Sequence, residues 1–156
     1  MIRGVDPAAD ALELGGHRLP LPAGAALAAY AGRTVILGIR PSDFEDAQVW
    51  RDERLPVIVV TADVVEDLGT EAHVLFTVEA PPVQVEGVAD DPEAGALIPL
   101  VAAEGTSVFT AAVDARTRAR AGGRVRLSVD PARFHFFDRD TGQVIHARPL
   151  PVAATS

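Results

Sequence analysis

An all-β barrel is the fold class this sequence predicts, and three observations predict it. Apolar residues recur with period two in many short runs, Gly-, Pro- and Asp-rich turn signals separate those runs at close spacing, and only short stretches favour helix. The chain has 156 residues. That is enough for one domain, or two small barrels sharing a core, and buries roughly two thirds of the unfolded surface.

The elements follow in order. Residues Ala11 to Leu21 place two alternating runs around Gly15-Gly16, a pair suited to a two-residue hairpin turn with positive φ. The Ala-rich stretch closing at Gly32 favours a short helix or turn. In the run Thr34 to Arg40, Val35, Leu37 and Ile39 share one face and Ile36, Gly38 and Arg40 the other. Pro41 cannot donate to a ladder and pushes Arg40 away from helix, so the strand is expected to stop at Arg40; Ser42 and Glu45 then match a capping box opening a helical turn.

The strongest hairpin is expected from Val57 to Val65, turning at Asp67 to Thr70 and returning with Ala72, Val74, Phe76 and Val78 on the core side. From Pro81 to Gly105 the composition shifts to Pro, Asp, Glu, Gly and Ala, an acidic surface excursion. Two further strands are expected in Thr106 to Asp114 and Gly123 to Asp130. Asp130-Pro131 turns the chain into the run Arg133 to Asp138, and Asp138 to Gly142 turns it again. The domain is placed at 1–148, with 149–156 as a loose tail.

Composition excludes several functions. The net charge is −8 and all 14 cations are arginine, so a nucleic-acid backbone would be repelled and no phosphate-loop lysine exists. The absence of cysteine removes disulfides, thiolate catalysis and Cys-ligated zinc. The apolar stretches are shorter than the roughly 18 residues of a membrane span, and the N-terminus does not read as a signal peptide.

No constellation supports catalysis. His17, His73, His135 and His146 lack metal-ligand spacing, and no serine lies in a nucleophile elbow. The pairs Asp43/Glu45, Asp52/Glu53 and Glu66/Asp67 read as solvated acids, and Arg116, Arg118, Arg120, Arg124 and Arg126 as an exposed stripe pairing with the chain's own carboxylates. Arg124 and Arg126 could also meet an anion. Arg40, ending an apolar strand, needs a planar acceptor and reads as a structural clamp. Phe134 and Phe136 read as core, whereas Phe137 projects to the opposite side together with His135 and is a candidate partner contact.

Three segments carry a family resemblance: GRTVILGIRPSDF (32–44), ADVVEDLGTEAHVLF (62–76) and GGRVRLSVDPARFHFFDRDTGQVI (122–145). Together they resemble the C-terminal regulatory region, the TOBE domain, of the ATPase subunits of sugar-type ABC importers, a group that includes maltose, trehalose and glycerol-3-phosphate systems. The first segment is similar to the family's GIRPE signature with Ser42 in place of Glu. The last is similar to its FD-x-x-TG ending, carried by Phe136, Phe137, Asp138, Thr141 and Gly142. The acidic excursion is longer than in many relatives.

The resemblance implies an OB-fold-like β-barrel that follows a nucleotide-binding domain, helps hold two ATPase subunits as a homodimer, and in some members receives a regulatory protein or a small inhibitory ligand. Phe137, His135 and the Gly69 turn are then the expected interface residues. ATP and magnesium would belong to the nucleotide-binding domain, so no cofactor is expected in this chain. Permease subunits would be met only indirectly, at the cytoplasmic face of the membrane. A sensor for a sugar, sugar phosphate or oxyanion is the alternative function.

Overall fold

A computed structural model describes residues 5–6, 11–21, 26–30, 32–80 and 105–146. All but the last residue of the excursion expected at 81–105, and the tail at 149–156, lie outside the described residues. Eleven strands are described: β1 Val5–Asp6, β2 Ala11–Leu14, β3 His17–Pro20, β4 Val35–Gly38, β5 Phe44–Asp46, β6 Val57–Asp67, β7 Glu71–Val78, β8 Ser107–Asp114, β9 Arg124–Val129, β10 His135–Asp138 and β11 Val144–Ile145. Single 3₁₀ turns at Ala26–Tyr30, Pro41–Asp43 and Pro131–Arg133 connect them.

The strands form three antiparallel sheets, ordered β1-β2-β3, β11-β10-β4 and β5-β9-β6-β7-β8. In the largest, the outer strands β5 and β8 pack against each other, so the sheet curls into a half-barrel. The long strand β6 makes the curl: its first part pairs with β9, its second with β7, and a bulge between Ala62 and Val64 bends it at the changeover. The expected hairpin is therefore present, with Glu71 to Val78 returning along Ala62 to Asp67.

One apolar cluster runs through all three sheets, from Leu12 and Leu14 to Phe44, Phe76, Leu127, Phe136 and Ile145. Alternation explains its membership, since Ala72, Val74, Phe76 and Val78 face inward from β7. Phe44 meets Phe76 edge-on at 5.6 Å, and Phe76 stacks on Phe109 at 5.9 Å, the offset geometries that aromatic quadrupoles favour.

The β2–β3 hairpin joins the half-barrel through its turn. Gly15 and Gly16 both have positive φ, and a Cβ on Gly15 would collide with a γ-methyl of Val78 at the end of β7. The β10 strand pairs Phe136 with Leu37 and Phe137 with Ile36, so sequence-distant segments complete the small sheet.

Two local expectations are corrected. Strand β4 ends at Gly38, two residues before Arg40. The 3₁₀ turn that follows starts from Arg40 without a side-chain cap, not from a Ser42–Glu45 box. Pro41 suits the first helical position, and burial of Phe44 draws the chain into β5 after one turn, leaving Glu45 on a strand.

Candidate functional site

Two surfaces carry the side chains suited to partners. The first lies on the small sheet. Alternation along β10 turns Phe136 inward and leaves Phe137 half-buried and His135 exposed on the outer face. Phe137 pairs across the sheet with Ile36 on one side and Val144 on the other, and Val144 is exposed. A narrow apolar stripe results. Gly38 borders it closely: a Cβ there would make ordinary van der Waals contact with Cε2 of Phe137 at 3.4 Å and Cβ of His135 at 3.5 Å. Gly69, at the exposed tip of the β6–β7 hairpin with φ +88°, belongs to the other sheet. The structure thus brings Phe137 and His135 together and places Gly69 on a separate element.

The second surface flanks the seam of the half-barrel, where β5 and β8 meet. Asp46, the last residue of β5, is only 2% exposed. Its Oδ1 accepts the Gln48 N–H at 2.8 Å, its main-chain carbonyl accepts the N–H groups of Val49 and Trp50, and its Oδ2 accepts the Thr117 hydroxyl at 2.6 Å. One buried carboxylate thereby ties the loop after β5 to the loop after β8. Asp46, which no pattern in the sequence singled out, is a structural pin.

Above that pin stands Trp50, 52% exposed. Its indole N–H donates to Oδ2 of Asp114 at 3.3 Å, and the Arg116 guanidinium lies over its ring at 4.9 Å. Arg116 in turn grips Asp114 with two hydrogen bonds, 2.9 Å to Oδ1 and 3.0 Å to Oδ2. The Arg116 side-chain and backbone donors hold the Asp114 carboxyl well below the usual carboxylate range. Arg54 grips Asp52 in the same way and lowers its pKa to about 2. Beside them Gln48, Arg51, Asp52, Glu53, Val57 and Arg126 are among the residues lining an open cleft of about 410 Å³.

The expected arginine stripe is realised in part. Arg116, in the loop after β8, pairs with Asp114 at the end of that strand, and Arg118, Arg120, Arg124 and Arg126 are exposed. Of Arg124 and Arg126, only Arg126 reaches the cleft. Arg40 is exposed, and among the described residues its guanidinium makes no ion pair. The clamp at this turn is instead Arg133, whose Nη2 lies 2.8 Å from Oδ1 of the 5%-exposed Asp43. The N–H is not aimed at that oxygen, so the contact is a charge pair without an aligned hydrogen bond. Asp43 therefore departs from the solvated-acid expectation. Trp50 carried no periodic signal; its being the chain's single tryptophan was the one cue in the sequence.

Among the described residues no helix is long and apolar enough to cross a membrane.

Comparison with known proteins places this architecture. The family model of the MalK OB fold domain matches residues 5–44, the span from β1 to the start of β5. The chain is 32% identical over 114 residues to the trehalose import ATP-binding protein SugC of Mycobacterium tuberculosis, covering 69% of this chain and 27% of that protein. It is 29% identical over 119 residues to the trehalose/maltose import ATP-binding protein MalK of Thermococcus litoralis, covering 74% and 25%. It is 28% identical over 115 residues to the sulfoquinovosyl glycerol transport ATP-binding protein SmoE of Agrobacterium fabrum, covering 74% and 24%. The chain spans about a quarter of the length of these relatives. It carries an all-β, MalK-type OB fold domain, and its homologues are the ATP-binding subunits of ABC sugar importers.

Proposed function

We propose that this chain is a non-catalytic regulatory and dimerisation module of the ATP-binding subunit of a carbohydrate ABC importer. The observation that carries the reading is the coincidence of the MalK OB match, which ends just beyond β4, with the apolar stripe of Ile36, Phe137 and Val144 on the sheet that β4 completes. A second copy, laid against that stripe, would cover the outer face that β10 leaves half-buried. In this reading nucleotide and magnesium are handled by a nucleotide-binding domain of the same subunit, and the module works at the cytoplasmic face of the membrane through that subunit's permease partners.

Sedimentation equilibrium tests it. The expected result is concentration-dependent self-association that Val144→Asp or Phe137→Ala weakens without loss of the far-ultraviolet β signal. A monomer at all concentrations, or variants that associate as the parent does, would reject the dimer contact.

The cleft beside Arg51 and Arg126 supports a second reading, a sensor for a sugar phosphate or oxyanion, because its volume falls within the range of small-ligand pockets. A thermal-shift screen with sugars, sugar phosphates, sulfate and molybdate separates the two. A saturable shift, lost in Arg126→Gln, favours the sensor.

A further inference from the structure

We propose that the seam surface around Trp50 is a docking site for an acidic, partly apolar segment of a partner protein. The loops at 47–55 and 115–120 carry Arg51, Arg54, Arg116, Arg118 and Arg120 against Asp52, Glu53 and the strand-end Asp114, in a chain whose net charge is −8. With the buried Asp46 included, the seam keeps a small excess of cations on an anionic molecule, and most of its exposed charges are arginines. Along 116–120 burial alternates: Thr117 and Ala119 turn inward, the former to Asp46 and the latter to the core. Arg116, Arg118 and Arg120 consequently share the outer side.

Two of the carboxylates are already engaged, Asp52 by Arg54 and Asp114 by Arg116. Among the described residues Arg51, Arg118 and Arg120 have no such ion pair. Their charge is open to carboxylates from outside. The exposed indole adds a need for apolar contact, which a string of carboxylates alone would not satisfy. Tryptophan and arginine are also the side chains that most often dominate interface energies.

Preorganisation strengthens the case. The indole N–H is held by Asp114, the ring lies under Arg116, and both loops are pinned by Asp46. Binding would therefore find the indole and Arg116 already placed and would have to order only the arginine side chains that meet the incoming carboxylates. A polyphosphate backbone, charged at every unit along its length, would meet more of the molecule's net repulsion than a short segment whose carboxylates are interleaved with apolar residues. The inference rests on this surface alone and does not depend on the importer reading.

The test uses the full chain and a synthetic peptide in which glutamates are interleaved with leucine and glycine. Trp50 is the single tryptophan, so intrinsic emission reports on the site directly. A saturable emission change is expected that weakens with added salt as screening shortens the range of the charges. In anisotropy with labelled peptide, Arg118→Glu and Trp50→Leu should each weaken binding about tenfold or more. Arg118→Glu alters an exposed position, and an unchanged melting temperature would separate its effect from unfolding. The proposal is overturned by an absence of saturable binding, by equal binding of a peptide with lysine in place of glutamate, or by tighter binding of oligothymidylate.

Discussion

The Thr117 hydroxyl donates to the buried Asp46 carboxylate across 2.6 Å, linking the ends of β5 and β8. This bond spans 71 residues of sequence and sits where the half-barrel comes closest to closure. Thr117→Val should remove the donor and leave Oδ2 buried with one partner fewer, costing about 1 to 3 kcal/mol. Urea denaturation measures the loss. Anisotropy of the Trp50 emission should fall in the same variant as its loop loosens; an unchanged midpoint would remove the pin from the account.

Arg133 and Asp43 form the second long-range tie. Arg133→Leu would leave a buried carboxylate without its counter-charge and should destabilise by about 2 kcal/mol, less than for a fully buried pair because the guanidinium is half in water. Adding Asp43→Asn to that variant should restore part of the stability. Strict additivity of the two substitutions would show that the residues do not interact.

Arg40→Ala should change stability by no more than about 0.5 kcal/mol, as expected for an exposed side chain with no described partner. A thermal melt against the Arg133→Leu variant gives the comparison. A larger loss at Arg40 would return the clamp to the residue where the sequence placed it.

The two hairpin glycines should differ. Gly16→Ala adds a methyl into open space and bears only the cost of positive φ, about 1 kcal/mol. Gly15→Ala carries that cost and also drives a methyl into Val78. Denaturant midpoints should rank Gly15→Ala below Gly16→Ala, with Val78→Ala narrowing the gap. Equal losses would mean that the turn does not press on β7.

Acid should weaken the fold through Asp138. The backbone N–H groups of Thr141 and Asp140 and the Tyr30 hydroxyl hold its carboxyl below the ordinary value of 3.8. A depressed carboxylate contributes stability above its unfolded pKa and loses it as pH falls through the folded one. The parent should therefore lose denaturant resistance as pH falls below the ordinary carboxylate value of 3.8, and Asp138→Asn should lose less over the same fall. Parallel pH profiles would assign the acid sensitivity elsewhere, with Asp52 and Asp114 next in line.

Period-two patterning made the β6–β7 hairpin, the glycine turn and the inward set Ala72, Val74, Phe76 and Val78 legible in the sequence, because local sterics and burial act together there. The split of Phe136 from Phe137 was legible for the same reason. Ser42 and Glu45 misled because a capping box is a local pattern, whereas the burial of Phe44 is decided by Phe76 across the barrel. Asp43 read as solvated, and Asp46 was not marked at all, for a similar cause: the partners that permit their burial, Arg133 and Thr117, are remote in the chain. Trp50 lay in a loop, where no periodicity marks a side chain for either core or surface.

The union of β4 with β10 also bears on biosynthesis. The ribosome delivers Val35–Gly38 roughly 5 to 20 s before His135–Asp138 emerges, at ordinary elongation rates. Throughout that interval the nascent polypeptide presents an unmated ladder edge to the crowded cell, so translation pauses or a bound chaperone should govern yield more strongly than the finished molecule's resistance to heat.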